Sequence, residues 1–83
     1  MLSLAMSNLR VGDIVESSYF YKYICGISQD NLTYTYIYVG KHSKTYGLDK
    51  ATFCIDYQTI IPPQDIIDVI NEAKAELIWI AKN

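Results

Sequence analysis

The chain of 83 residues holds few groups able to do covalent chemistry, and their spacing assembles none of the familiar catalytic sets. His42 is the only histidine. It stands beside Ser43 with no orienting carboxylate in a recognisable place, so a Ser–His pair would have nothing to fix its tautomer. Ser17 and Ser18 lack the glycine-flanked elbow that presents a nucleophilic serine. The glycines are dispersed rather than gathered into a phosphate-cradling loop. One histidine and two cysteines, Cys25 and Cys54, do not have zinc-ligand spacing. Asp65 and Asp68 share a helix face but read as first-turn charges. The expectation is a protein that is not an enzyme, with no cofactor and no metal.

The remaining chemistry is electrostatic and aromatic. Gly40-Lys41-His42-Ser43-Lys44 forms a polar, basic loop, and Lys41, His42 and Lys44 are the best local case for an anion contact. The whole chain argues the other way. Its net charge is −2 and its pI about 5.1, and the basic residues are spread thinly. A domain that lives on phosphate backbone shows a basic stripe. Aromatic residues make up 13% of the chain, and most of them are its eight tyrosines.

Those tyrosines define the elements that must position them. Tyr19–Ile27 and Leu32–Val39 are two runs of aromatic and β-branched residues flanking Ser28-Gln29-Asp30-Asn31, the signature of an antiparallel hairpin. If the four polar residues are the loop, Ile27 faces Leu32. Cys25 then pairs with Tyr34, Tyr23 with Tyr36, and Tyr21 with Tyr38. The period-2 alternation of a strand puts all of these on one face, as a cross-strand tyrosine ladder. The other face carries Phe20, Lys22, Ile24, Thr33, Thr35, Ile37 and Val39. Tyrosine rings suit either a core with a wet rim or a binding face.

Around the hairpin, Gly12-Asp13 reads as a turn entering a strand at Ile14. The Val11-Gly12-Asp13-Ile14-Val15 opening resembles the first strand of many small SH3-like barrels. Thr45–Leu48 reads as a short strand or turn, Asp49-Lys50 follows it, and Ala51–Tyr57 reads as a further strand, which Gln58–Ile61 extends. Pro62-Pro63 closes the β region, and Pro63 suits a helix start. From Gln64 to Lys82 the periodicity is helical. It gathers Ile66, Val69, Ile70, Ala73, Leu77, Ile80 and Ala81 on one face. The opposite face holds Asp65, Asp68, Glu72, Ala75, Glu76 and Trp79. The fold class expected is α+β: a small antiparallel sheet or SH3-like, partly open barrel of about five strands with one C-terminal helix. It is one domain, with 1–8 as a flexible tail, 9–61 as the β region and 63–82 as the helix.

The chain is 51% hydrophobic and 19% charged, a combination that suits a small protein hiding apolar surface by association, and a homodimer is expected. Its apolar runs fall short of the ~20 residues that span a bilayer. With no secretory leader pattern and two cysteines among apolar neighbours, a reduced, cytoplasmic setting is expected. Twelve isoleucines, eight tyrosines and a single arginine hint at an AT-rich coding genome. Small proteins of phages and mobile elements, many of them antagonists of host machinery, share that character. The function expected is a small protein-interaction module, an adaptor or inhibitor that occludes a partner protein's surface. Tyr21, Tyr23, Tyr36, Tyr38 and Trp79 are its candidate contact residues, with Glu72 and Glu76 as an acidic rim. Two alternatives compete. One is a nucleic-acid-binding small barrel that stacks bases on tyrosines and holds phosphate with Lys41, His42 and Lys44. The other is a small-ligand binder with a tyrosine-lined pocket for a planar molecule such as a nucleotide.

Overall fold

Four antiparallel strands lie in the order β1-β2-β3-β4, followed by one C-terminal helix, so the fold is α+β. The computed structural model describes residues 9–30, 32–52 and 59–82, with the side chains of 78–82 left aside. The strands are β1 (Ile14–Glu16), β2 (Phe20–Ile27), β3 (Thr33–Gly40) and β4 (Tyr46–Thr52), and the helix is α1 (Gln64–Lys82). Beyond them, Thr59 makes an isolated antiparallel bridge with Val15, and the Ile60 amide donates to the Ile14 carbonyl at 2.9 Å. The chain that leaves β4 at one sheet edge therefore reappears beside β1 at the other. The expected N-terminal tail and most of the strand expected over 51–57, Cys54 included, lie outside the described residues.

The hairpin forms where the tyrosine runs predict it, but its register differs, by two residues beside the loop, where Ile27 opposes Tyr34, and by one from Ile24 back to Phe20. Tyr21 opposes Val39, Lys22 opposes Tyr38, Tyr23 opposes Ile37 and Ile24 opposes Tyr36. The cross-strand tyrosine ladder is therefore absent, because a shift of one residue moves a whole set of side chains to the other face. Two local devices cause it. The connection runs one residue longer than the polar stretch and takes in Leu32. Inside it the Ser28 hydroxyl donates to the Asp30 carboxylate at 2.6 Å, the Leu32 amide donates to the same oxygen at 3.1 Å, and the Thr33 amide donates to Ser28 Oγ at 3.0 Å. Cys25 is the second device. It is an extra residue between the Ile24–Tyr36 and Gly26–Thr35 pairs, a β-bulge that takes the two-residue offset beside the loop back to one.

This register puts apolar side chains on both faces of the sheet. On one face Val39 meets Ile66 and Ile70 of α1, with Ile14, Tyr21, Tyr23, Tyr46 and Val69 packed around them. On the other, Leu9, Val15, Ile24, Tyr34 and Tyr36 form a second cluster, flanked by Ile27, Tyr38 and Ala51. Each fully buried isoleucine contributes about 1.5–3 kcal/mol. The helix is seated as its periodicity predicts: Ile66, Ile70 and Ala73 are buried. Its first turn is anchored by the Pro63 carbonyl, which accepts from Ile66 and Ile67.

The short run over Thr45–Leu48 and the start of the next expected strand are one strand: Asp49-Lys50 lies inside β4, where Asp49 opposes Tyr36 and Lys50 opposes Thr35. The reversal between β3 and β4 is made by the Gly40–Thr45 loop, where the polar, basic stretch predicts a loop. There the Gly40 amide donates to the Thr45 carbonyl at 2.8 Å and the Lys44 amide to the Gly40 carbonyl at 3.0 Å. Among the described residues no helix is long and apolar enough to cross a membrane.

Candidate functional site

Alternation along β3 sends Tyr34, Tyr36 and Tyr38 to the sheet face away from α1. The flanking strands contribute Phe20, Lys22 and Ile24 from β2, and Gly47, Asp49 and Ala51 from β4. The rings form one continuous row. Tyr34 and Tyr36 have centroids 5.4 Å apart, Tyr36 and Tyr38 are 6.4 Å apart edge to face, and Tyr38 and Phe20 are 5.4 Å apart edge to face. Edge to face is a favoured aromatic geometry, and the Tyr34–Tyr36 pair is tilted. Exposure rises along the row: 2% at Tyr34, 9% at Tyr36, an intermediate value at Tyr38 and 37% at Phe20. The row thus begins in the core and ends at the surface.

At its outer end lies a concavity of about 210 Å³ lined by Phe20, Lys22, Tyr36, Tyr38 and Asp49. Gly47 makes room for it. A Cβ built there would come within 2.6 Å of the Tyr38 Cζ, so the ring lies directly over the glycine backbone. The Lys22 ammonium sits 4.7 Å from the centroid of the Tyr36 ring, a cation–π contact that contributes about 0.5–1 kcal/mol at a surface site. Burial raises the Tyr36 phenol above its ordinary value, and the neighbouring Asp49 carboxylate adds to the rise. The ring is therefore neutral at physiological pH and offers an electron-rich face.

A second, apolar concavity of about 290 Å³ opens between the helix side of the sheet and α1, lined chiefly by Val11, Tyr23, Cys25, Ile37, Leu48 and Leu77. The Cys25 thiol donates to the Thr35 carbonyl at 3.4 Å, and burial raises its pKa, which keeps it in the unreactive thiol form. Lys74 crosses this space with its ammonium 4.8 Å from the Tyr23 ring.

The structure divides the tyrosines that the sequence groups together. Tyr36 and Tyr38 line the open concavity. Tyr21 and Tyr23 lie on the opposite face, half-buried beside α1. The basic loop is also engaged. Lys41 bonds Glu16 at 2.5 Å and lies over the Tyr21 ring at 5.4 Å, Lys44 pairs with Asp65 at 2.9 Å, and His42 is exposed in the turn between them. Glu72 and Glu76 lie exposed on α1, and Glu76 accepts a hydrogen bond from the Tyr46 hydroxyl. That bond, with burial and the charges of Glu76 and Glu72 adding, pushes the Tyr46 phenol up to about 12. Trp79 belongs to α1, and its side chain lies outside the described residues.

Phe20, Lys22 and Asp49 were not among the residues singled out from the sequence. Phe20 and Lys22 stand two residues apart, so strand alternation already put them on one face. Only the register shows that the face is shared with Tyr36 and Tyr38. Asp49 was hidden because it stands between two runs that the sequence reads as separate. No family model matches the chain, and no curated protein or solved structure matches it either.

Proposed function

We propose that this protein is a small, non-enzymatic protein-interaction module that occludes a partner's surface with its aromatic face. One observation carries the reading: the row of rings runs out of the core to an open concavity at Phe20, Tyr36 and Tyr38, on the sheet face away from α1. Rigid aromatic side chains give large contact area at low entropic cost, and they are enriched where proteins meet. Tyr19 extends the same end of the sheet and is 74% exposed. The nucleic-acid alternative has less behind it, because Lys41 and Lys44 are paired with carboxylates.

Finer features belong to the same reading. The Val15–Thr59 bridge supports a fifth strand and a partly closed, SH3-like barrel. A second copy of the chain is one partner the face could serve, and the setting we favour is the cytoplasm.

The test is capture of partners with the wild-type chain and with Phe20→Ser and Tyr38→Ala, each checked for an unchanged fold by circular dichroism. A partner retained by the wild type and lost from both variants supports the proposal. Retention by both variants overturns it. Light scattering on the same samples reports whether that partner is a second copy.

A further inference from the structure

We infer that the concavity lined by Phe20, Lys22, Tyr36, Tyr38 and Asp49 is a cation site for the alkylammonium group of a partner's lysine side chain, and that Lys22, at its wall, covers the Tyr36 ring until the partner arrives. This rests on the aromatic face being the partner-binding surface.

The chemistry of the lining is what a cation needs. Aromatic faces attract ammonium groups through the ring quadrupole, and the exposed Asp49 carboxylate stands opposite Tyr36 on the neighbouring strand. An ammonium is already there: Lys22 Nζ lies 4.7 Å from the Tyr36 centroid. The way it is held distinguishes it from the lysines of the basic loop. Lys41 and Lys44 each meet a carboxylate, whereas Lys22 makes no ion pair among the described residues. A ring contact alone is weak. The lysine stem is flexible and its ammonium hydrates readily, so Lys22 can swing to solvent and yield its place. Lys41 over Tyr21 and Lys74 over Tyr23 are cation–π contacts too, but those tyrosines are packed on the helix side of the sheet. Only at Tyr36 do open volume, further rings and an unpaired lysine coincide among the described residues.

The experiment is an NMR titration of the ring resonances of Phe20, Tyr36 and Tyr38. The probes are two short glycine-serine peptides, one with a central lysine and one with norleucine, its uncharged counterpart. The lysine peptide should shift these rings and the norleucine peptide should not. Lys22→Gln removes the resident cation and should tighten lysine-peptide binding about fivefold. Asp49→Asn and Phe20→Leu, both at the surface, should weaken it. Equal binding of the two peptides would make the site merely apolar and overturn the inference. So would an absence of shifts in both the wild type and Lys22→Gln. If partner capture still depends on Phe20 and Tyr38 when neither peptide binds, the interaction surface stands and the cation site falls.

Discussion

The ring of Tyr38 lies over the backbone of Gly47, its partner across β3 and β4, and closes the space where a side chain would be. Gly47 has no positive φ, so the glycine answers a demand for room and not for an unusual backbone. Gly47→Ala should displace the ring and destabilise the fold by about 1–3 kcal/mol, the usual cost of overpacking. A denaturant midpoint reads the loss. The Phe20 and Tyr36 ring resonances should move in the same variant, since Tyr38 touches both rings. An unchanged midpoint would show that the ring yields without cost.

The Tyr46 hydroxyl bonds Glu76 and ties β4 to α1. A phenol pushed up to about 12 from its ordinary 10 keeps its proton in the fold after the unfolded chain has lost it. Its contribution is therefore complete below pH 10 and is lost as pH rises toward 12. In an ultraviolet phenolate titration Tyr46 should ionise late, beside the raised Tyr36, and Glu76→Gln should return only the Tyr46 share toward the ordinary range. A late component left unchanged by Glu76→Gln would rule out the bond in solution.

The acid side has the opposite sign. The Ser28 hydroxyl and the Leu32 amide lower the Asp30 carboxyl, and Lys44 lowers that of Asp65. Both contributions are present above the ordinary carboxylate value of 3.8 and fade as pH falls through the lowered folded values. The doubly substituted Asp30→Asn, Asp65→Asn chain should show a shallower decline of stability below pH 4 than the wild type. Parallel declines would assign the acid limb to other groups.

Ile70 is buried between α1 and the sheet beside Val39. Ile70→Ala should cost about 2–5 kcal/mol, because the cavity adds to the lost burial. Urea unfolding followed by circular dichroism measures it. A cost below about 1 kcal/mol would mean that α1 repacks freely on the sheet.

The helix was legible because nineteen residues of 3.6-fold periodicity overdetermine which side faces the sheet, and Ile66, Ile70 and Ala73 are buried accordingly. The hairpin was legible in kind but not in phase. Its phase depends on one serine, one aspartate and one bulged cysteine, and alternation alone does not reveal such local bonds. That single step decided the candidate site: it parted Tyr21 and Tyr23 from Tyr36 and Tyr38, and gave the latter Lys22 as a neighbour. Asp49 was lost to the sequence reading because an Asp-Lys pair interrupts two strand-like runs, whereas here both charges stand within one exposed strand.

Their position has a consequence for behaviour at high concentration. Among the described residues β4 ends the sheet, and a terminal strand is where another chain can add. Asp49 and Lys50, exposed at mid-strand, would have to be brought against like charges or stripped of water by an incoming strand. They act as a guard rail, steering any self-association to the faces of the sheet and away from open-ended fibres. Asp49→Val with Lys50→Thr should remove that protection, and growth of thioflavin-positive aggregates from the folded protein would reveal it.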